Sequence, residues 1–387
     1  MTAGGPFAWT RRHLDRLVET AATTAPVIES SSLPRVLPDD DVWDLWPVQE
    51  ADGSPSAVCG QELWMALSAP AVGHPEARHD VARLRLLARA GDEWDDLGNV
   101  FGDDASPGSR EWSGSAVRRP DGSVSIYYTA AGQREEARPT YVQRVIEARP
   151  KLVTNGGRIR LEGPVEHHEV LRSDGRTYLP ADELDGAPGR IRAFRDPGWF
   201  REPADGRQYL LVAASVSWQD GFMGAVALAA ERRGGWSLLP PLLVADGINH
   251  ELERPHVVVH ESRYYLFLVT QRHTFHPPGS APTGLYGFVA PSLTGPYEPL
   301  NGSGLVIRNP SDEPDQAYAW WVLPDLRAIG FVNYRSADGT DMRHAAAVEA
   351  RARFGGTIAP VLQLALDGAT TAIVTPSVTG SLPSCGR

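Results

Sequence analysis

Cysteine is nearly absent from this 387-residue chain, which carries only Cys59 and Cys385. Two cysteines make no disulfide framework, and no Cys-x-x-Cys spacing points to zinc or thiol redox chemistry. Whether the two pair is left open by the sequence. Positive charge is also in deficit, with 37 Lys and Arg against 48 Asp and Glu and a formal net charge of -11. An acidic surface repels phosphate backbones and anionic headgroups, so neither nucleic acid nor a membrane is an expected partner. Long apolar runs are missing, and none reaches the ~18 residues of a membrane span. The first thirty residues lack a basic region followed by an apolar run, so no cleavable secretory signal is visible. Gly-x-Ser-x-Gly, P-loop and Rossmann signatures are missing too.

What is present is an ordinary globular composition, 42% hydrophobic and 22% charged, with 11 Trp and 11 Tyr. Flat ring faces stack on sugar C–H faces, so this aromatic content leans towards carbohydrate while also fitting a core. Helical periodicity is scarce. It predicts one helix over residues 10–22, capped by Thr10 with Leu14, Leu17, Val18 and Ala21 on one stripe. A second, short helix over 140–148 would place Val142, Val145 and Ile146 on one side and stop before Pro150. Elsewhere the chain reads as strands over 63–67, 124–128, 209–216, 225–228, 256–259, 264–270, 286–289 and 329–334. Asp-Gly turns at 52–53, 121–122, 174–175, 220–221 and 338–339 punctuate them. Many short strands between turns indicate an all-β fold. At this length a propeller fits better than a duplicated sandwich. No sequence period counts its blades. Residues 1–387 read as one domain, with 1–40 as a lead-in and 370–387 as a loose tail.

Chemistry concentrates in three places. In His250-Glu251-Leu252-Glu253-Arg254-Pro255, an extended backbone puts Glu251 and Glu253 on one face. Two like charges there raise the pKa of at least one, which suits a general acid. Asp44 lies between Trp43 and Trp46, a carboxylate beside large apolar rings. Asp196 follows Arg195, whose charge can keep it ionised. Each motif alone also fits a solvated strand edge or a turn-capping aspartate. Three carboxylates this far apart fit no helical motif, but the inner strands of a propeller bring remote segments to one axial pocket. His250-Glu251 does not continue to a His-Glu-x-x-His, because Arg254 takes the second histidine's place. His167-His168-Glu169 reads as a solvated loop.

Taken in order, these stretches resemble the levansucrase family of bacterial fructosyltransferases, glycoside hydrolase family 68. The resemblance runs through Val42-Trp43-Asp44-Leu45-Trp46-Pro47, Glu111-Trp112-Ser113-Gly114-Ser115, Arg195-Asp196-Pro197, Glu251-Leu252-Glu253-Arg254-Pro255 and Leu293-Thr294-Gly295-Pro296-Tyr297. It implies a five-bladed β-propeller with a funnel-shaped axial site, sucrose as donor, sugars or water as acceptors, and a retaining ping-pong mechanism. Asp44 matches the nucleophile, Glu253 the acid/base and Asp196 the transition-state stabiliser. Trp43, Trp112, Ser113 and Arg195 match donor-pocket residues, Glu251 and Arg254 match residues nearer the acceptor, and Tyr318 matches a tyrosine beside the carboxylates. Gln271 stands where many relatives carry His, and His250 replaces an Asp of the calcium site found in some members. No metal or cofactor is therefore expected. An altered acceptor side implies that hydrolysis or short-oligosaccharide transfer outweighs levan synthesis. The family is usually exported, which makes an extracellular location the expectation.

Overall fold

In the computed structural model, residues 5–29, 33–163, 165–181, 192–218, 221–337 and 339–374 are described. Their strands form a five-bladed β-propeller, as expected. The inner strands of blades I to V are Asp40–Gln49, Arg110–Arg118, Phe194–Arg201, Glu253–His260 and Ala317–Val322. Each is followed by an antiparallel second strand: Gln61–Pro70, Val124–Ala131, Gln208–Ser215, Arg263–Thr270 and Arg327–Tyr334. Inner and second strands in blades I to III are buried along most of their length, because each blade is covered on both faces by its neighbours. That is why these segments read as apolar runs with little alternation. Phe7–Trp9 adds a parallel strand to the outer strand of blade III, Gly235–Ala245, and buries Trp9 against Phe275, Tyr286 and Phe288.

All five inner strands share one irregularity. The register with the second strand shifts between Trp43 and Trp46, Trp112 and Gly114, Arg195 and Gly198, Glu253 and His256, and Tyr318 and Trp321. In blades I, III, IV and V the bulged residue has positive φ: Asp44 50°, Asp196 56°, Arg254 52° and Ala319 56°. A bulge re-aims side chains locally, and here it does so at the same level of every blade. Asp tolerates this backbone region better than most residues. Neighbouring inner strands also approach closely: a Cβ at Gly198 in blade III would lie 2.1 Å from the carbonyl oxygen of Pro255 in blade IV.

Four expectations need correction. The first helix covers only Arg11–Leu14. Leu14 and Leu17 still pack on the core, but Val18 is 67% exposed, so the stripe does not continue as a buried helical face. The chain is instead drawn to blade IV, where Arg308 pairs with Glu19 and its carbonyl accepts from the Ala25 amide at 2.9 Å. The expected helix over 140–148 is a strand, Gln143–Ala148, third in blade II. Burial on both faces favours the extended form over a one-sided helix there. His167-His168-Glu169 begins the next strand, His167–Leu171, rather than a loop. A helix that the sequence reading did not mark, Ala347–Arg353, precedes the third strand of blade V, Phe354–Ile358. Thr370–Val374 is not loose but pairs with Leu362–Asp367. The remaining tail, Cys385, Asp220 and Asp338 lie outside the described residues.

Candidate active site

The five bulges deliver the sequence-predicted residues to one place. Trp43, Asp44, Glu253, Gln271 and Tyr318 line a cavity at one end of the axis. Ser113, Arg195, Asp196 and Glu251 stand behind that lining and are tied to it by hydrogen bonds and ion pairs. Ser113 Oγ donates to Asp44 Oδ2, fixing that carboxylate from blade II. Arg195 Nη2 donates to Glu251 Oε1 at 2.9 Å and to Glu253 Oε1 at 3.1 Å. The Tyr318 hydroxyl donates to the other oxygen of Glu253. Asp196 Oδ2 accepts from the Arg254 amide at 3.3 Å, and the Asp196 amide donates to Thr129 Oγ1 at 2.9 Å. Trp112 contributes less directly, its indole N–H donating to the His79 carbonyl at 3.0 Å.

Arg254 sits differently from the expectation. It does not line the cavity but is 3% exposed. Its guanidinium donates to the carbonyls of Ala319 and Leu45, in blades V and I, and lies between the rings of Trp46 and Trp321.

The electrostatics follow from this burial. Asp196 is not kept in the ordinary carboxylate range by Arg195, as the sequence suggested; it is pushed up to about 7, chiefly by desolvation, with Glu253 and Asp44 adding to it and Arg195 opposing. Glu253 is raised by desolvation and by the charge of Glu251, against Arg195 and Tyr318. The Asp196–Glu253 pair therefore retains a proton nearer neutrality than free carboxyls do. His79, beside Trp43, is held near 4 by burial and by Arg78, so it is neutral at pH 7.

Sequence reasoning missed the upper wall. Glu76, Arg78 and His79 come from a short 3₁₀ turn, Pro75–Asp80, in the link between the second and third strands of blade I. Arg78 lies over the Trp43 ring at 5.2 Å and over Phe354 at 4.7 Å. Arg272, His273, Asp315, Asn333, Asp341 and Arg343 complete the rim, with Arg272 paired to Asp315 at 2.7 Å. Arg272 adjoins Gln271 and is marked by the same resemblance; no local pattern marks the others, whose neighbours are distant in sequence. Among the described residues, no group of three or more His, Cys, Asp or Glu side chains is arranged to hold a metal ion.

Carboxylates held by hydroxyl and guanidinium donors at the axis of a five-bladed propeller define a glycoside-cleaving enzyme. Comparison with known proteins sharpens this. The levansucrase/invertase family model matches residues 2–223 and 214–383. The levansucrase of Erwinia amylovora is 30% identical over 98% of this chain and 97% of its own, and that of Zymomonas mobilis is 31% identical over 94% and 89%. The inulosucrase from Halalkalicoccus jeotgali, solved bound to kestose, superposes with a TM-score of 0.89 at 39% identity, covering 96% of this chain and 95% of that one. The chain belongs to the levansucrase/invertase family, glycoside hydrolase family 68, and is a sucrose-cleaving fructosyltransferase or glycoside hydrolase.

Proposed function

We propose that the protein cleaves sucrose by double displacement through a fructosyl-enzyme on Asp44, and passes fructose to a sugar acceptor or to water. The observation that carries this is the paired fixing of two cavity-lining carboxylates: Ser113 on Asp44, Arg195 and Tyr318 on Glu253. A nucleophile must be oriented, which Ser113 does for Asp44, and an acid must keep its proton, which burial and the charge of Glu251 favour in Glu253 against Arg195 and Tyr318. In the first step an Asp44 oxygen bonds to the anomeric carbon of the fructosyl unit. The bond to the bridging oxygen breaks, and that oxygen takes the proton of Glu253 as glucose leaves. In the second step Glu253 accepts the proton of an acceptor hydroxyl or water, whose oxygen displaces Asp44. Asp196, tied to Arg195 and to the Arg254 amide, in its ionised form stabilises the oxocarbenium-like charge that develops between them. Trp43 and Trp112 shape the donor pocket. Gln271, at the rim beside the Arg272–Asp315 pair, faces the acceptor.

The test is a time course with sucrose in which glucose and free fructose are measured separately. Glucose in excess of free fructose supports transfer, and linkage analysis of the products then separates levan-type from inulin-type bonds. Equal release supports a β-fructofuranosidase with the same residues. Release of neither removes sucrose as the donor. That result favours a sugar-binding propeller without chemistry.

A further inference from the structure

We infer that Arg254 is a positioning residue, a buried cation that clamps blades I, IV and V beneath the carboxylates and sets the charge state in which they react. The inference rests on the reading of Asp44, Asp196 and Glu253 given above.

Four observations support it. The Arg254 backbone occupies the bulge of the blade IV inner strand at a φ of 52°, a region that a long side chain adopts only when its surroundings over-determine it. That conformation turns its amide towards Asp196 Oδ2 and its side chain towards the axis. There the guanidinium reaches two backbone carbonyls, Leu45 and Ala319. Leu45 directly follows Asp44, and Ala319 directly follows Tyr318. One side chain thus fixes the backbone next to the nucleophile and next to the tyrosine that grips the acid/base, while its own amide holds the third carboxylate. Trp46 and Trp321 enclose the guanidinium at 5.8 and 5.6 Å, and Trp321 is itself stacked on His256 at 4.2 Å. A charge so enclosed is little screened and acts on its neighbours strongly.

The groups that face this charge come from every element around it: Asp44 in blade I, Asp196 in blade III, Glu253 on its own strand and Tyr318 in blade V. His256, two residues on, turns Nδ1 to the Arg254 carbonyl at 3.0 Å and accepts from the Val322 amide at 2.9 Å. It is neutral there, held near 3 by burial. Arg195 is the other cation of the cluster, but its bonds go to side chains, whereas those of Arg254 go to backbone. With Asp44, Asp196, Glu251 and Glu253 against two guanidiniums, loss of Arg254 leaves more negative charge uncompensated. Each carboxyl then binds its proton more tightly.

The test compares Arg254→Met and Arg254→Lys with wild type in sucrose cleavage across pH, with thermal melting as a control of folding. In Arg254→Met, which keeps bulk without charge, kcat falls at least about 100-fold with KM within about threefold. Both limbs of its kcat/KM profile move to higher pH by about one unit. Arg254→Lys, which keeps charge but not the two-carbonyl clamp, melts lower and loses kcat, with its limbs close to those of wild type. A large rise in KM at unchanged kcat would make Arg254 a substrate contact and overturn the inference. So would a Met profile at the wild-type pH, or failure of both variants to fold, which would leave a scaffold residue alone. Wild type that does not cleave sucrose would instead overturn the functional reading beneath it.

Discussion

Glu251 and Glu253 share a single nitrogen: Arg195 Nη2 donates to both, at 2.9 and 3.1 Å. Glu251 lies just ahead of the strand that begins at Glu253, so the pair does not share a strand face as the spacing led us to expect; the arginine of the neighbouring blade brings them together and divides its charge between them. The proton affinity of Glu253 is therefore set partly by how much of Arg195 is occupied by Glu251.

Glu251→Gln tests this directly. It removes a negative charge that raises Glu253 and frees Arg195 to pair more fully with Glu253, and both effects lower the proton affinity of Glu253. The alkaline limb of kcat/KM, where Glu253 loses its proton, should move to lower pH by up to about one unit. A pH–rate profile of the variant checks it, and an unmoved or alkaline-shifted limb contradicts the assignment.

Glu253→Gln keeps shape and removes the proton. Sucrose cleavage should fall by about 10²–10⁴-fold in kcat with melting unchanged. Donors whose leaving group needs no protonation should be spared in the first step. Equal losses on sucrose and on such a donor would take the acid role away from Glu253.

Ser113→Ala removes the hydroxyl that holds Asp44. A hydrogen bond to a charged group is worth about 1.5–3 kcal/mol, so kcat should drop about 10–100-fold. The Tyr318 and Arg195 contacts to Glu253 do not involve Ser113, and the pH of the alkaline limb should stay in place. Steady-state kinetics across pH separates this from a general loss of structure.

Much of the site was legible in the sequence because each catalytic candidate carries its own local oddity: a carboxylate between tryptophans, an Arg-Asp-Pro, an alternating Glu pair. The blade count was not legible. The repeating unit is a bulge, filled by Asp44, Asp196, Arg254 and Ala319 in four blades and by Ser113, without a positive φ, in blade II, so the backbone repeats while the residues do not. Val142, Val145 and Ile146 suit a helix or a strand equally over so short a run, and only burial between blades decided it. Arg78, His79 and Asp315 reach the cavity through long-range contacts that no local pattern announces. The direction of Arg254 follows from a positive φ that sequence does not display.

Outside the site, Glu111 is 2% exposed and accepts from the Leu84 amide at 2.7 Å. Burial pushes it up to about 7 from an ordinary value of 4.5, with the Leu84 amide and Arg83 opposing. A carboxyl raised on folding contributes stability below its unfolded pKa and loses it as pH rises through the folded value. Glu111 therefore contributes a decline in stability between about pH 4.5 and 7, set against the rise contributed by His79, His250, His256 and His273, which burial holds neutral. Glu111→Gln should flatten that decline and be the more stable at pH 8, by on the order of 2–3 kcal/mol at most. Parallel melting curves across pH would contradict the shift.

The central claim, a fructosyl-enzyme on Asp44, is tested most directly by acid-quenching the wild-type enzyme during turnover of sucrose, digesting it and weighing its peptides. The account predicts one anhydrohexose on the peptide that contains Asp44, absent from Asp44→Asn and absent without sucrose. An adduct on another residue, or none even in Glu253→Gln supplied with a donor whose leaving group needs no protonation, would contradict it.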